Sequence, residues 1–87
     1  MTEAEKWAAY DLAKHRLSLV ISHYSALVFK AEQQEAPDVA KIKRLETEQD
    51  AFMDQKAVLS VEDQITIDRL NRELEPLIKN ILRTAAL

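Results

Sequence analysis

The chain contains no cysteine and no glycine. Without cysteine it has no disulfide framework, no thiolate zinc site and no thiol nucleophile. Glycine supplies the positive-φ positions of tight turns, hairpins and phosphate-cradling loops. Its absence excludes a P-loop and a Rossmann fingerprint, and it disfavours two-residue β-hairpins. Proline occurs only twice and aromatics make up 6%. The longest uncharged stretch, Leu17 to Phe29, falls short of the ~20 apolar residues that span a bilayer. It is also broken by Ser18, Ser22, His23 and Ser25. The opening MTEAEK is acidic where a signal peptide would be basic. These features predict a soluble cytoplasmic chain with no membrane partner. A net charge of −3 disfavours indiscriminate binding to nucleic acid or anionic lipid.

What is present points to helix. Hydrophobic residues make up 47% and charged residues 31%, which excludes a disordered chain and a membrane-embedded one. Ala, Leu, Glu, Lys, Gln and Arg dominate, and these are the strongest helix formers. Eighty-seven residues suffice for one domain that buries roughly 60–65% of its unfolded surface. The predicted fold is all-α. It is a three-helix antiparallel bundle or an extended helical hairpin with a long N-terminal helix, dimeric through that helix.

The first helix is predicted over about 3–34. Thr2 and Glu5 have capping-box spacing. Tyr10, Ala13, Leu17, Val20, Tyr24, Leu27 and Ala31 follow at heptad spacing, broadened by Trp7, Ile21 and Val28. A second row runs round the back: Ala8, Leu12, His15, Leu19, Ser22, Ala26 and Phe29. A helix apolar all round is buried on more than one side. In a chain this short, the second row asks for a partner surface.

Pro37 ends the first helix and opens the second, predicted over about 37–57, with Asp38 near its positive end. Val39, Ile42, Leu45, Phe52 and Met53 form its inner side, and Gln49 interrupts that seam. Ser60, Glu62 and Asp63 read as the N-cap and acidic first turn of a third helix over about 61–85. Its seam is Ile67, Leu70, Leu74, Leu77 and Ile81, four residues out of phase with the second helix. That shift fits either a stutter in one long helix or a turn at 58–60, and the cap chemistry favours the turn. Pro76 lies inside the third helix and predicts a kink rather than a stop. At 1.5 Å per residue the helices would be about 45–50, 30 and 35–40 Å long, so the first overhangs the others.

No catalytic, cofactor or metal constellation emerges. His15 and His23 are about 12 Å apart along a helix and cannot share a metal within one chain. Asp11 and His15 have the spacing to pair on the helix surface. The carboxylates of Glu46, Glu48, Asp50 and Asp54 lie on the polar side of the second helix, and no Glu-x-x-His motif accompanies them. Ser18, Ser22 and Ser25 lack a histidine–acid relay and serve close helix approach. Trp7 and Tyr10 suit either an interface anchor or the end of the core. Arg69, Arg72, Lys79 and Arg83 form a one-sided basic row able to track phosphates. Interleaved acids, and the want of an aromatic platform or a helix-turn-helix, make a solvated face paired with acids of the second helix the better reading.

The sequence therefore predicts a non-enzymatic protein–protein interaction module of accessory, assembly or inhibitory type, without cofactor or small-molecule substrate. Its interface would be Leu12, His15, Leu19, Ser22, Ala26 and Phe29, with His15 and His23 at the polar margins. The partner would be a second copy or a larger protein. The alternative is a dimeric nucleic-acid-associated accessory factor using Arg69, Arg72, Lys79 and Arg83.

Overall fold

A computed structural model describes residues 1–85, with the side chains of residues 1–84. Among these residues there are three α-helices and no strand: α1 (Glu3–Glu32), α2 (Val39–Val58) and α3 (Gln64–Ala85). The capping box at the start of α1 is formed: Thr2 Oγ1 accepts from the Glu5 amide and the Glu5 carboxylate accepts from the Thr2 amide. The Thr2 amide, donating to the Glu5 carboxylate, and then the Thr2 side chain beside it hold that carboxyl below its ordinary range, since they favour the charged form. The boundary around Pro37 is a short irregular stretch. α2 begins one residue after Asp38, whose carboxylate caps it by accepting from the Lys41 amide.

The second break is a true turn, but its chemistry differs from expectation. Ser60 does not cap α3. Its hydroxyl accepts from the Glu62 amide and its carbonyl from the Asp63 amide, which closes a turn. Asp63 caps α3 instead, with Oδ1 accepting from Thr66 and the carbonyl accepting from Ile67. The helix therefore starts three residues later than Val61. Leu59, just after α2, is buried in the core rather than spanning solvent. α3 then continues through Pro76 without interruption.

The core is built on α1. Ala13, Leu17 and Val20 are fully buried and meet Leu59, Ile67, Leu70 and Leu74. Tyr10, Tyr24, Phe52, Leu77, Ile78 and Ile81 pack against this cluster. The α3 seam is therefore as its spacing predicts. The α2 seam is narrower than expected. Leu45 is buried, whereas Val39 is 74% exposed and Met53 48% exposed. Both lie at the margin of the stripe set by Leu45, Gln49 and Phe52.

Two side chains from the flanking helices bond to the backbone of α1. Gln49 Nε2 donates to the Ile21 carbonyl at 2.9 Å and to Ser25 Oγ at 2.7 Å. Asn71 Nδ2 donates to the Ala9 carbonyl at 3.1 Å, and the Arg16 guanidinium donates to the Asn71 carbonyl. Both α2 and α3 pack on α1, but no Cα of α2 comes within 8 Å of a Cα of α3 among the described residues. α2 runs antiparallel to α1: Leu45 shares a cleft with Leu27 and Ala31, and Lys56 shares one with Lys14. α3 is bonded nearer the N-terminal end of α1. The two shorter helices thus lie on different flanks of the long one, which at 30 residues exceeds the 20 of α2 and the 22 of α3. The extents, 53 × 28 × 14 Å, make the molecule long and thin. Its radius of gyration of 15.0 Å exceeds the roughly 12 Å of a compact domain of this length.

Candidate protein-association surface

Helical geometry places Leu12, His15, Leu19, Ser22, Ala26 and Phe29 on one stripe, because their alternating three- and four-residue spacing tracks the 3.6-residue turn. The stripe lies on the opposite side of α1 from Ala13, Leu17 and Val20. Neither α2 nor α3 closes over it. Phe29 is 67% exposed and Leu12 42% exposed, while His15, Ser22 and Ala26 are exposed and Leu19 is half-buried. From Leu12 to Phe29 the stripe spans about 25 Å of helix axis.

Ser22 belongs to this open face, but the neighbouring serines do not. Ser18 Oγ donates to the Lys14 carbonyl and Ser25 accepts from Gln49, so both are used within the chain. His23 is half-buried beside the Tyr24 ring, edge-on at 6.4 Å between centroids. Asp11 and His15 do not come within the 4 Å of an ion pair; the pairing their spacing allows is not made. Tyr24 ties α1 to α2: its hydroxyl donates to Glu48 at 2.9 Å and its ring leans on Phe52 at 5.7 Å. Burial raises the Tyr24 hydroxyl pKa, and the adjacent Glu48 carboxylate raises it further.

Near the N-terminal end, Trp7 meets Tyr10 edge-on at 5.6 Å, and Lys14 lies 5.3 Å from the Tyr10 ring centre. Tyr10 joins the core margin while Trp7 stays half exposed.

The basic row of α3 points away from its apolar seam. Arg69, Arg72, Lys79 and Arg83 are all exposed. Their acidic company is not on α2, as the sequence suggested. Arg72 pairs with Asp68 at 3.2 Å and Lys79 with Glu75 at 3.4 Å, each four residues earlier on the same helix. α2 lies along a different flank of α1, and no ion pair joins it to α3 among the described residues.

Two clefts flank α1. One of about 540 Å³ lies where α1 turns into α2, between Leu27, Ala31, Lys41 and Leu45. A smaller one of about 280 Å³ is lined by Lys14, Ile21, Met53, Lys56 and Ala57. Neither gathers a nucleophile with a base. No group of three His, Asp or Glu side chains able to hold a metal occurs among the described residues. No helix among them is long and apolar enough to cross a membrane. Comparison with protein-family models, with curated proteins and with solved structures returns no match.

Proposed function

We propose that this chain is a small cytoplasmic, non-enzymatic association module, of accessory, assembly or inhibitory type, that binds another protein chain through the outer face of α1. One observation supports this above the rest. A row from Leu12 to Phe29 stays open to solvent, with only Leu19 half-buried, although the opposite face of α1 already packs into the core through Ala13, Leu17 and Val20. Scattered apolar residues are ordinary on a surface, whereas a contiguous row about 25 Å long is a cost in water. Fully burying a Leu or Phe side chain contributes about 1.5–3 kcal/mol. Leu12, Leu19 and Phe29 together offset a substantial part of the roughly 4–15 kcal/mol that association costs. The serine and alanine of the row let another helix approach closely. The test is solution mass by light scattering across a concentration series, for the native chain and for Leu19→Asp and Phe29→Asp. The expected result is association that either substitution abolishes while helical content by circular dichroism is retained. Variants that remain associated would refute the assignment of this face.

A second reading, a nucleic-acid-associated accessory factor, draws on the outward position of Arg69, Arg72, Lys79 and Arg83. Two of the four already sit beside carboxylates, which lowers the positive potential a phosphate would meet. This reading expects DNA binding that weakens steeply with salt and is lost in an Arg72→Ala, Lys79→Ala variant. Absence of binding at low salt removes it.

A further inference from the structure

The stripe on α1 carries enough asymmetry to say what covers it. Its large and small residues alternate unevenly: Leu12, His15 and Leu19 toward one end, then Ser22, Ala26 and the bulky Phe29. Two copies aligned in parallel would set like against like. Ser22 and Ala26 would then face their own counterparts and leave a void, while His15, Leu19 and Phe29 would crowd theirs. Two copies aligned antiparallel fit instead. With Leu12 opposite Phe29 of the second copy, His15 falls opposite Ala26 and Leu19 opposite Ser22. Every central layer then combines one large side chain with one small one, the arrangement that fills space without strain.

Charge agrees with shape. Asp11 adjoins Leu12 and Lys30 adjoins Phe29, and both are exposed. Antiparallel alignment brings the acid of one copy to the same end of the interface as the base of the other. Parallel alignment brings like charges together. The helix dipoles also oppose favourably only in the antiparallel case. A face that supplies both halves of each complementary layer is self-complementary, as a two-fold interface must be.

We infer that the partner on the outer face of α1 is a second copy of this chain, bound antiparallel about a two-fold axis between Leu19 and Ser22. This rests on the reading of that face as the association surface. The thin shape of the protomer suits it, because a second copy adds the packing layer that the outer side of α1 lacks.

The absence of native cysteine allows a direct test. Ala4→Cys and Glu32→Cys are made separately, spin-labelled, and the distance between identical labels in the dimer is measured by pulsed electron paramagnetic resonance. At 1.5 Å per residue the inferred register expects about 50 Å for position 4 and about 35 Å for position 32. In any antiparallel dimer these two distances trade off against each other, so their difference reads the register. Short distances at both positions, below about 20 Å, would mean a parallel dimer and overturn the inference. Long distances with a different split would overturn the register. A monomeric chain with no inter-label distance would exclude the second copy and leave the face to a different protein. A dimer whose mass and distances survive Leu19→Asp with Phe29→Asp would mean that α1 is not the association surface at all.

Discussion

Asn71 offers the sharpest test of how the core is held. It lies on α3 against the N-terminal half of α1, where its Nδ2 donates to the Ala9 carbonyl. Its Oδ1 is buried with no hydrogen-bond partner. Replacing it by leucine keeps the branching of the side chain and removes both polar atoms. The lost hydrogen bond costs about 0.5–1.5 kcal/mol. The Ala9 carbonyl is not orphaned, since it sits inside α1 and keeps its helical acceptor role. Removing an unpaired buried acceptor returns about 1–3 kcal/mol, and the new methyls add apolar burial on a half-buried site. The balance favours Asn71→Leu by about 1 kcal/mol, a rise in Tm of roughly 4–8 °C for a domain of this size. The measurement is thermal and urea unfolding followed by circular dichroism. Protein concentration must be held fixed, because association makes Tm depend on it. A loss of 1 kcal/mol or more would refute the reasoning. It would mean that the Asn71 amide fixes the seating of α3 on α1, and that its value exceeds that of the single bond it makes.

Stability should also fall at both ends of the pH scale for identifiable reasons. The Tyr24 hydroxyl titrates above its ordinary value in the folded chain, so above about pH 10 the unfolded state loses its proton first and folding weakens as pH rises. Urea midpoints between pH 9 and 11 should decline less steeply for Tyr24→Phe than for the native chain, and equal slopes would dismiss the argument. At the acid end, the carboxyls of Glu5 and Asp63 are held below their ordinary values by the caps they make. Their contribution is full above the unfolded values and is lost as pH falls through about 4 and below, so Asp63→Asn should flatten the acid limb.

Sequence pattern carried the seam of α3, whose one-sided leucine and isoleucine spacing leaves one orientation, and the heptad row of α1, although a second row on that helix competed with it. It also carried the capping box at Thr2, whose two partners are three residues apart and need nothing from the rest of the chain. Other features depend on where neighbours lie in space, which periodicity does not encode. Val39 and Met53 look like core because they are apolar and near the α2 stripe, yet α1 meets α2 along Leu45, Gln49 and Phe52. Gln49 looked like a flaw in that seam and is instead the donor that ties α2 to Ile21 and Ser25. Ser60 and Asp63 both have cap chemistry. Only the fold of the turn, with Leu59 drawn into the core, decides that Ser60 closes the turn and Asp63 starts the helix. The pairing of Arg72 with Asp68 was present in the four-residue spacing, but α2 offered competing acids until its separation from α3 was known.

That separation has a mechanical consequence. With α2 and α3 each resting on α1 and making no close backbone approach to each other, the chain is a spine with two leaves, joined by the turn at 59–63 and by the shared core that Phe52 and Leu59 enter. A disturbance on the outer side of one leaf has no direct path to the outer side of the other, so substitutions at exposed positions of α2 and of α3 should combine additively. Load applied to the spine is different. A body bound along the outer face of α1 would touch neither leaf, yet it would stiffen the one element both depend on and so make their separate opening motions answer to a common partner.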